Sequence, residues 1–185
     1  FLGAGDEKSA NNATTLGTLL SAVHGLLLTI VCIAFIPKFL GMFTKSENVI
    51  ALGLEYAYIA FAFSMIITVG IALEKIYQAV GQMKVTMLGM TVGFVSNIVL
   101  DPLLIFGVGP FPRMGMSGAA LATGIGQTLT LICYIVIYIL RPIPARISLR
   151  DMHMDSALIG KLYSIGIPAT LNMALPSLLI SALNG

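Results

Sequence analysis

An acid, an amide and a proline lie close together in the apolar segment SNIVLDPLLIFG, residues 96–107. Asn97 precedes Asp101 by four positions, so both side chains lie on the same face of an α-helix. A charge near the centre of a bilayer costs roughly 2.5–3.5 kcal/mol on insertion scales. That cost is avoided if the carboxyl is protonated, faces a water-filled cavity or binds a cation. The pair therefore predicts a site that binds a proton or a small cation.

Pro102 follows Asp101 directly and alters the backbone of the same segment. Proline has no N–H, and its ring clashes with the carbonyl four residues earlier, which here belongs to Ile98. The helix is therefore expected to kink at Pro102. The freed carbonyl oxygen can bind water or a cation where the helix lines a cavity. The alternative is that Asp101 lies near the outer interface, where a structural hydrogen bond holds it, and the residues alone leave both interpretations open.

Four further ionisable residues lie in or beside apolar segments. Glu74 is a candidate for the same kind of site, although a surface position suits it equally well. Its neighbour Lys75 is expected to extend to the interface, because adjacent residues on a helix do not face each other. His24 is expected to form hydrogen bonds within the helix bundle, and Glu55 is expected to lie at the outer interface. Glu74 therefore joins Asn97 and Asp101 as a candidate site residue.

The composition identifies the environment in which these residues act. Of the 185 residues, 57% are hydrophobic and only 10% are charged, whereas a soluble domain has about 25% charged residues. The chain is therefore expected to be an integral membrane protein. The net charge of +2 does not indicate nucleic-acid binding. Motifs for a hydrolase, a metal site or phosphate binding are absent from the sequence, so no enzyme activity, metal or cofactor is expected.

Five apolar segments are long enough to cross a bilayer as helices, which requires about 20 residues. They cover residues 16–36, 49–73, 83–106, 115–140 and 157–183. Pro37 is expected to end the first segment, because proline interrupts a helix. The segments lack the alternation of a half-buried strand. The predicted fold is therefore an all-α integral membrane protein, a polytopic bundle of transmembrane helices.

Basic residues are distributed unequally between the connections. Five spans put residues 1–15, 74–84 and 141–156 on one side of the membrane. With the entry to the last helix, that side carries seven basic residues: Lys8, Lys75, Lys84, Arg141, Arg146, Arg150 and Lys161. The opposite side carries three: Lys38, Lys45 and Arg113. This bias predicts that the first side is cytoplasmic. The connection after residue 140, with prolines at its start, is expected to act as a hinge.

Small residues recur at intervals of four in the third and fourth spans. The first pair is Gly89 and Gly93, and the second series is Gly118, Ala122 and Gly126. Such series let helix backbones approach closely in lipid. We therefore expect the third and fourth spans to pack against each other.

The segment 81–127 resembles the multidrug and toxin extrusion (MATE) family. The resemblance rests on G-x-x-K at 81–84, N-I-x-L-D-P-x-L-I-F-G at 97–107 and M-G-x-x-G-A-A-L-A-T at 114–123. Residues 2–13 and 165–173 are also similar to segments of that family. The resemblance implies that the chain corresponds to about helices three to seven of a two-lobe transporter with six helices in each lobe.

The resemblance also implies a domain organisation. Residues 1–140 would belong to the amino-terminal lobe, 141–156 would form a cytoplasmic inter-lobe loop, and 157–185 would be the truncated first helix of the carboxy-terminal lobe. In one branch of the family an acid lies where this chain has Pro176. The resemblance is therefore to the DinF-like branch, in which the amino-terminal lobe couples transport to an ion.

Site roles follow from the same resemblance. The family's cavity residues match Asn97 and Asp101, while Glu74 matches a polar position that is Asn in many relatives. Thr123 matches a motif position and is interpreted as a helix-packing residue. The implied function is secondary efflux of cationic, amphipathic compounds across the cytoplasmic membrane in exchange for H⁺ or Na⁺. The expected partners are small organic cations, the lipid bilayer and the remaining helices of the same polypeptide.

The main alternative is a flippase of the same superfamily that moves lipid-linked oligosaccharides or peptidoglycan precursors. Such a cavity should contain arginine to bind pyrophosphate, and the predicted spans contain none. An intramembrane enzyme would need at least two converging catalytic groups, whereas the acids here are isolated. A passive channel or scaffold is the fourth possibility. The sequence favours the antiporter.

Overall fold

The computed structural model describes residues 1–148, 152–154 and 156–184. Six α-helices follow a short 3₁₀ turn at Leu2–Ala4. They are α1 (Glu7–Phe43), α2 (Glu47–Ala62), α3 (Ser64–Ala79), α4 (Met83–Phe106), α5 (Met116–Leu140) and α6 (Ser156–Asn184). The described residues contain no strand, which confirms the all-α prediction.

α1 is longer at both ends than the sequence predicted. The helix begins at Glu7 rather than near residue 16, because the Asp6 side chain caps it by accepting a hydrogen bond from Ser9 N at 3.1 Å. An acidic N-cap followed by Glu7 also suits the positive end of the helix dipole. Pro37 lies inside α1, which continues to Phe43. The expectation that Pro37 ends the helix was wrong, because a helix remains the way to satisfy the other backbone groups in lipid.

The second predicted span is broken in two. α2 and α3 meet at Phe63 and are bent by 47° relative to each other. The neighbouring helices stabilise this bend. The Thr29 hydroxyl of α1 donates to the carbonyl of Phe61 at 2.9 Å, which satisfies a group at the break. Gly124 of α5 leaves room for the Phe63 ring, since an added Cβ would lie 2.3 Å from it.

Glycines bring α4 and α5 into direct contact. An added Cβ at Gly118 would lie 2.6 Å from the backbone oxygen of Leu104, and one at Gly126 would lie 3.0 Å from the oxygen of Gly93. Real Cβ atoms do not approach a backbone as closely as the first of these distances, so α5 can lie here only because residue 118 has no side chain. The predicted packing of the third and fourth spans is confirmed.

A buried cluster joins α3, α4 and α5 at one end of the bundle. Tyr77 and Tyr134 are fully buried beside Leu73 and Ile143. The Tyr77 hydroxyl donates to the carbonyl of Tyr134 at 2.9 Å, and the Tyr134 hydroxyl donates to the carbonyl of Thr86 at 3.2 Å. Both hydroxyls thus have partners, as buried polar groups require.

The outer faces of the helices are strongly apolar. On α4, Met87, Phe94 and Ile98 are each more than 60% exposed, which suits contact with lipid and not with water. Among the described residues, four helices are long and apolar enough to cross a membrane, and the bent pair α2–α3 raises the number to as many as five. This agrees with the five predicted spans by length and composition. The assignment of these helices to two lobes remains a prediction.

Candidate functional site

Asn97, Asp101 and Thr123 form a polar cluster between α4 and α5. Asp101 Oδ2 lies 2.9 Å from one terminal atom of the Asn97 amide. The other terminal atom of that amide lies 3.2 Å from Thr123 Oγ1. Asn97 and Asp101 are half-buried and Thr123 is exposed. The structure therefore brings together the two predicted residues of α4 and adds a third from α5.

One orientation of the Asn97 amide satisfies the whole cluster. With Nδ2 towards Asp101, the amide donates to Oδ2, and its oxygen accepts from the hydroxyl and the backbone N–H of Thr123. An ionised carboxylate, which only accepts hydrogen bonds, fits this arrangement. The opposite orientation would place the amide nitrogen against the backbone N–H of Thr123 and the amide oxygen against Asp101 Oδ2. Those two oxygens would need a shared proton or a cation between them.

Close contact of the two helices positions this cluster. An added Cβ at Gly126 would lie 3.7 Å from the Cβ of Asn97, so the glycine brings α5 beside the amide. Thr123 lies one turn earlier on α5. Its place beside Asn97 could not be predicted from the motif around it, because that motif consists of small residues that suggest packing alone. A polar residue within such a small-residue series was the available signal.

Pro102 lies inside α4, which runs without interruption to Phe106. The missing N–H removes the helical donor of the Ile98 carbonyl, one turn before the proline. That carbonyl belongs to the residue next to Asn97, so a further acceptor is available on this segment. The kink expected at Pro102 remains a prediction.

Glu74 has partners within its own helix. Its Oε1 accepts hydrogen bonds from Gln78 Nε2 at 2.8 Å and from Lys75 Nζ at 3.3 Å. Lys75 Nζ also donates to Gln78 Oε1 at 3.1 Å. The expectation that Glu74 and Lys75 do not face each other was wrong, because the long lysine side chain folds back. In the part of the chain that is described, no hydrogen bond joins Glu74 to Asn97 or Asp101, and its predicted site role stays a prediction.

His24 forms hydrogen bonds within the bundle, as expected. Its Nδ1 lies 2.6 Å from the carbonyl of Leu20 and therefore carries a hydrogen, while its Nε2 lies 3.1 Å from the hydroxyl of Tyr163 on α6. These residues lie beside a cavity of about 890 Å³ between α1, α3 and α6. The lining of this cavity includes Lys75 and no carboxylate among the described residues. The cavity and the Asp101 cluster are therefore different features of the chain.

Glu55 contributes to structure at the start of α5. The hydroxyl of Ser117, a buried residue in the first turn of α5, donates to Glu55 Oε1. A carboxylate beside a helix N-terminus is stabilised by the helix dipole. This contact joins α2 to α5 and gives Glu55 a role in addition to the interface position that the sequence suggested.

Apolar helices packed through glycines, with an acid and an amide between two of them, define a polytopic α-helical membrane protein. Residues 1–103 match the family model MatE. The chain belongs to this family, which confirms the resemblance inferred from the sequence. Membership of the DinF-like branch stays a prediction.

Similar proteins are named as multidrug export or multidrug resistance proteins. The multidrug export protein MepA of Staphylococcus haemolyticus is 25% identical over 175 residues, which cover 95% of this chain and 38% of MepA. The probable multidrug resistance protein YoeA of Bacillus subtilis is 31% identical over 157 residues, or 83% of this chain and 34% of YoeA. The chain thus spans less than two fifths of the length of these relatives.

A solved structure shows the same fold. The crystal structure of MATE in the straight conformation superposes with a TM-score of 0.87 at 29% identity, and the match covers 98% of this chain and 40% of that one. Members of the family are transporters, so the expectation that the chain is not an enzyme is confirmed.

Proposed function

We propose that this chain forms part of a secondary multidrug efflux transporter, which exchanges cationic, amphipathic compounds for H⁺ or Na⁺ across the cytoplasmic membrane. The observation that carries the proposal is the Asp101–Asn97–Thr123 cluster, which holds one acid in a hydrogen-bonded setting between two apolar helices. Relatives named as multidrug export proteins support the transport of organic compounds.

The cluster provides a simple means of coupling. An ionised Asp101, with the Asn97 amide donating to it, presents a negative charge that attracts an organic cation. Uptake of a proton or a sodium ion removes that charge and favours the opposite orientation of the amide. The ion and the substrate then compete for one carboxyl, and each lowers the affinity for the other, as thermodynamic linkage requires. Export follows when the ion binds from outside and the substrate binds from inside.

Either ion suits the geometry. When the amide oxygen of Asn97 faces Asp101 Oδ2 across 2.9 Å, the two oxygens can share a proton. The same two oxygens, with the hydroxyl of Thr123 nearby, offer the hard ligands that a small cation prefers. The coupling ion is therefore proposed as H⁺ or Na⁺, with no other cofactor.

Glu74 is a second proposed contributor, at a distance from the cluster along the chain. Its Oε1 is engaged by Lys75 and Gln78, and the lysine partly neutralises its charge. We infer that Asp101 carries the coupling and that Glu74 acts on substrate or ion affinity. Substituting each acid by itself distinguishes these two roles.

The test uses the full-length transporter in proteoliposomes. Efflux of a fluorescent organic cation is followed under a pH gradient and then under a sodium gradient, for the wild type, Asp101→Asn and Glu74→Gln. Glu47→Gln, at the exposed start of α2, is the matched control. We expect one gradient to drive efflux in the wild type and the control, Asp101→Asn to abolish it, and Glu74→Gln to reduce it.

Two results would contradict the proposal in different ways. Equal gradient-driven efflux in Asp101→Asn would show that Asp101 is a structural acid. Absence of efflux in the wild type under both gradients would favour the flippase of the same superfamily, and a lipid-linked oligosaccharide should then be tested as the substrate.

A further inference from the structure

The beginning of the α5–α6 connection is packed into the helix bundle. Ile143 and Ala145 are only 1% and 4% exposed. Ile143 belongs to the same buried cluster as Tyr77 and Tyr134. The two prolines that flank Ile143 limit the backbone further. This part of the connection is therefore fixed to α3 and α5, whereas the sequence predicted a hinge over the whole of 141–156.

Side chains from α1 and α5 bind three successive backbone N–H groups of the connection. Asn11 Oδ1 accepts from Arg146 N at 2.7 Å, the Tyr138 hydroxyl accepts from Ile147 N at 2.7 Å, and Thr15 Oγ1 accepts from Ser148 N at 2.9 Å. An extended segment normally finds such acceptors in a neighbouring strand. Here the acceptors are side chains, so each of these three backbone N–H groups has a hydrogen-bond partner.

Asn12 makes a further, two-sided contact with the connection. Its Oδ1 accepts from His153 N at 2.9 Å, and its Nδ2 donates to the carbonyl of His153 at 3.2 Å. The side-chain amide therefore pairs with the backbone of one residue through both its donor and its acceptor. This pairing lies three residues before α6 begins at Ser156.

We propose that Asn11, Asn12 and Thr15 are positioning residues that clamp the α5–α6 connection to α1, with the Asn12–His153 pairing as the pivot of α6. This inference rests on the proposed transport function, in which α6 must move relative to α1–α5. The clamp keeps the connection up to Ser148 with the bundle, so that a change in the angle of α6 occurs beyond it. α1 thereby holds the point from which α6 begins.

The contacts of α6 support a pivot at this place. α6 packs on α1, and its described side-chain contacts include the hydrogen bond from Tyr163 to His24. The Asn12 amide holds the backbone of His153, three residues before α6, and so fixes the point from which α6 begins.

The test measures position and transport in the same full-length protein. Spin labels are attached to Val136→Cys on α5 and Ile165→Cys on α6, both exposed in the wild type, in an otherwise cysteine-free background. Pulsed electron paramagnetic resonance measures the distance distribution between the two labels in the wild type, Asn12→Leu and Asn12→Asp. Asn48→Leu, at the exposed start of α2, is the matched control.

We expect Asn12→Leu to broaden the distance distribution, because two hydrogen bonds are lost. The same variant should lower kcat of efflux by about fivefold or more and change KM less than twofold. Asn12→Asp keeps the acceptor for His153 N and should give an intermediate result, which also serves if Asn12→Leu does not fold. Asn48→Leu should match the wild type.

An unchanged distance distribution in both Asn12 variants would overturn the clamp. A broadened distribution with unchanged kcat would overturn its role in transport. The distance measurement does not require transport, so failure of the proposed efflux function would be seen separately, as absence of efflux in the wild type with the clamp intact.

Discussion

Asp101 Oδ2 lies 2.9 Å from the side-chain amide of Asn97, which in turn contacts Thr123 on the neighbouring helix. With its nitrogen towards Asp101, the amide donates to the carboxylate, and its oxygen accepts from Thr123. The amide therefore links the acid to the neighbouring helix. The three residues should therefore act as one unit in coupled transport.

Replacing Thr123 with Val should lower gradient-driven efflux roughly fivefold, because the Asn97 amide loses a partner worth about 1 kcal/mol. Thr123→Ser should retain most of the rate. Thr128→Val is the control, since the described partner of the Thr128 hydroxyl is the Gly124 carbonyl of its own helix. Initial efflux rates in proteoliposomes measure the effect. Equal efflux rates for Thr123→Val and the control would show that Thr123 contributes to helix packing alone.

Replacing Gly118 with Ala should destabilise the bundle by about 1–3 kcal/mol, because overpacking forces α4 and α5 apart. The added Cβ would lie 2.6 Å from the Leu104 carbonyl oxygen. Gly70→Ala is the control: nothing lies within 4 Å of its added Cβ, and alanine favours a helix by up to about 1 kcal/mol. Thermal unfolding in detergent should show a lower Tm for Gly118→Ala alone. A similar Tm for both variants would contradict the close contact.

Replacing Thr29 with Val should destabilise the break between α2 and α3. The carbonyl of Phe61 would lose the hydroxyl that donates to it at 2.9 Å, and a lost hydrogen bond costs about 0.5–1.5 kcal/mol. Thr91→Val is the control, because the described partner of the Thr91 hydroxyl is the Met87 carbonyl of the same helix. Amide exchange should accelerate around Phe63 in Thr29→Val only. Unchanged exchange there would show that the bend does not depend on α1.

The hydrogen bonds from Ser9 hold the pKa of the exposed Asp6 carboxyl below its usual 3.8. Because the pKa is lower in the folded protein, the cap stabilises α1 fully above pH 3.8, and its contribution is lost as the pH falls through the folded value. The protection of the Ser9 amide, measured as the ratio of its intrinsic to its observed exchange rate, should therefore fall at low pH. Asp6→Asn keeps an acceptor that does not titrate, so the protection of Ser9 in this variant should not fall at low pH. An identical pH profile in both proteins would contradict the assignment.

Much of the fold could be predicted from local patterns. The third span was expected at 83–106 and α4 runs from Met83 to Phe106; the fourth was expected at 115–140 and α5 runs from Met116 to Leu140. Apolar length determines where a helix crosses lipid, and that property is local. The shared face of Asn97 and Asp101 also follows from helical spacing alone. The start of α1 was predictable in principle, since Asp6 followed by Glu7 is a recognisable cap.

The sequence by itself therefore determined the class of protein, the position of the main helices and the pairing of Asn97 with Asp101, because each depends on residues within a few turns of one another. Only the tertiary structure decided the break at Phe63, the place of Thr123 beside Asn97 and the binding of the α5–α6 connection by Asn11, Asn12 and Thr15. Each of these depends on a hydroxyl, an amide or a glycine supplied by another helix. Such partners are distant in sequence, and packing alone brings them together.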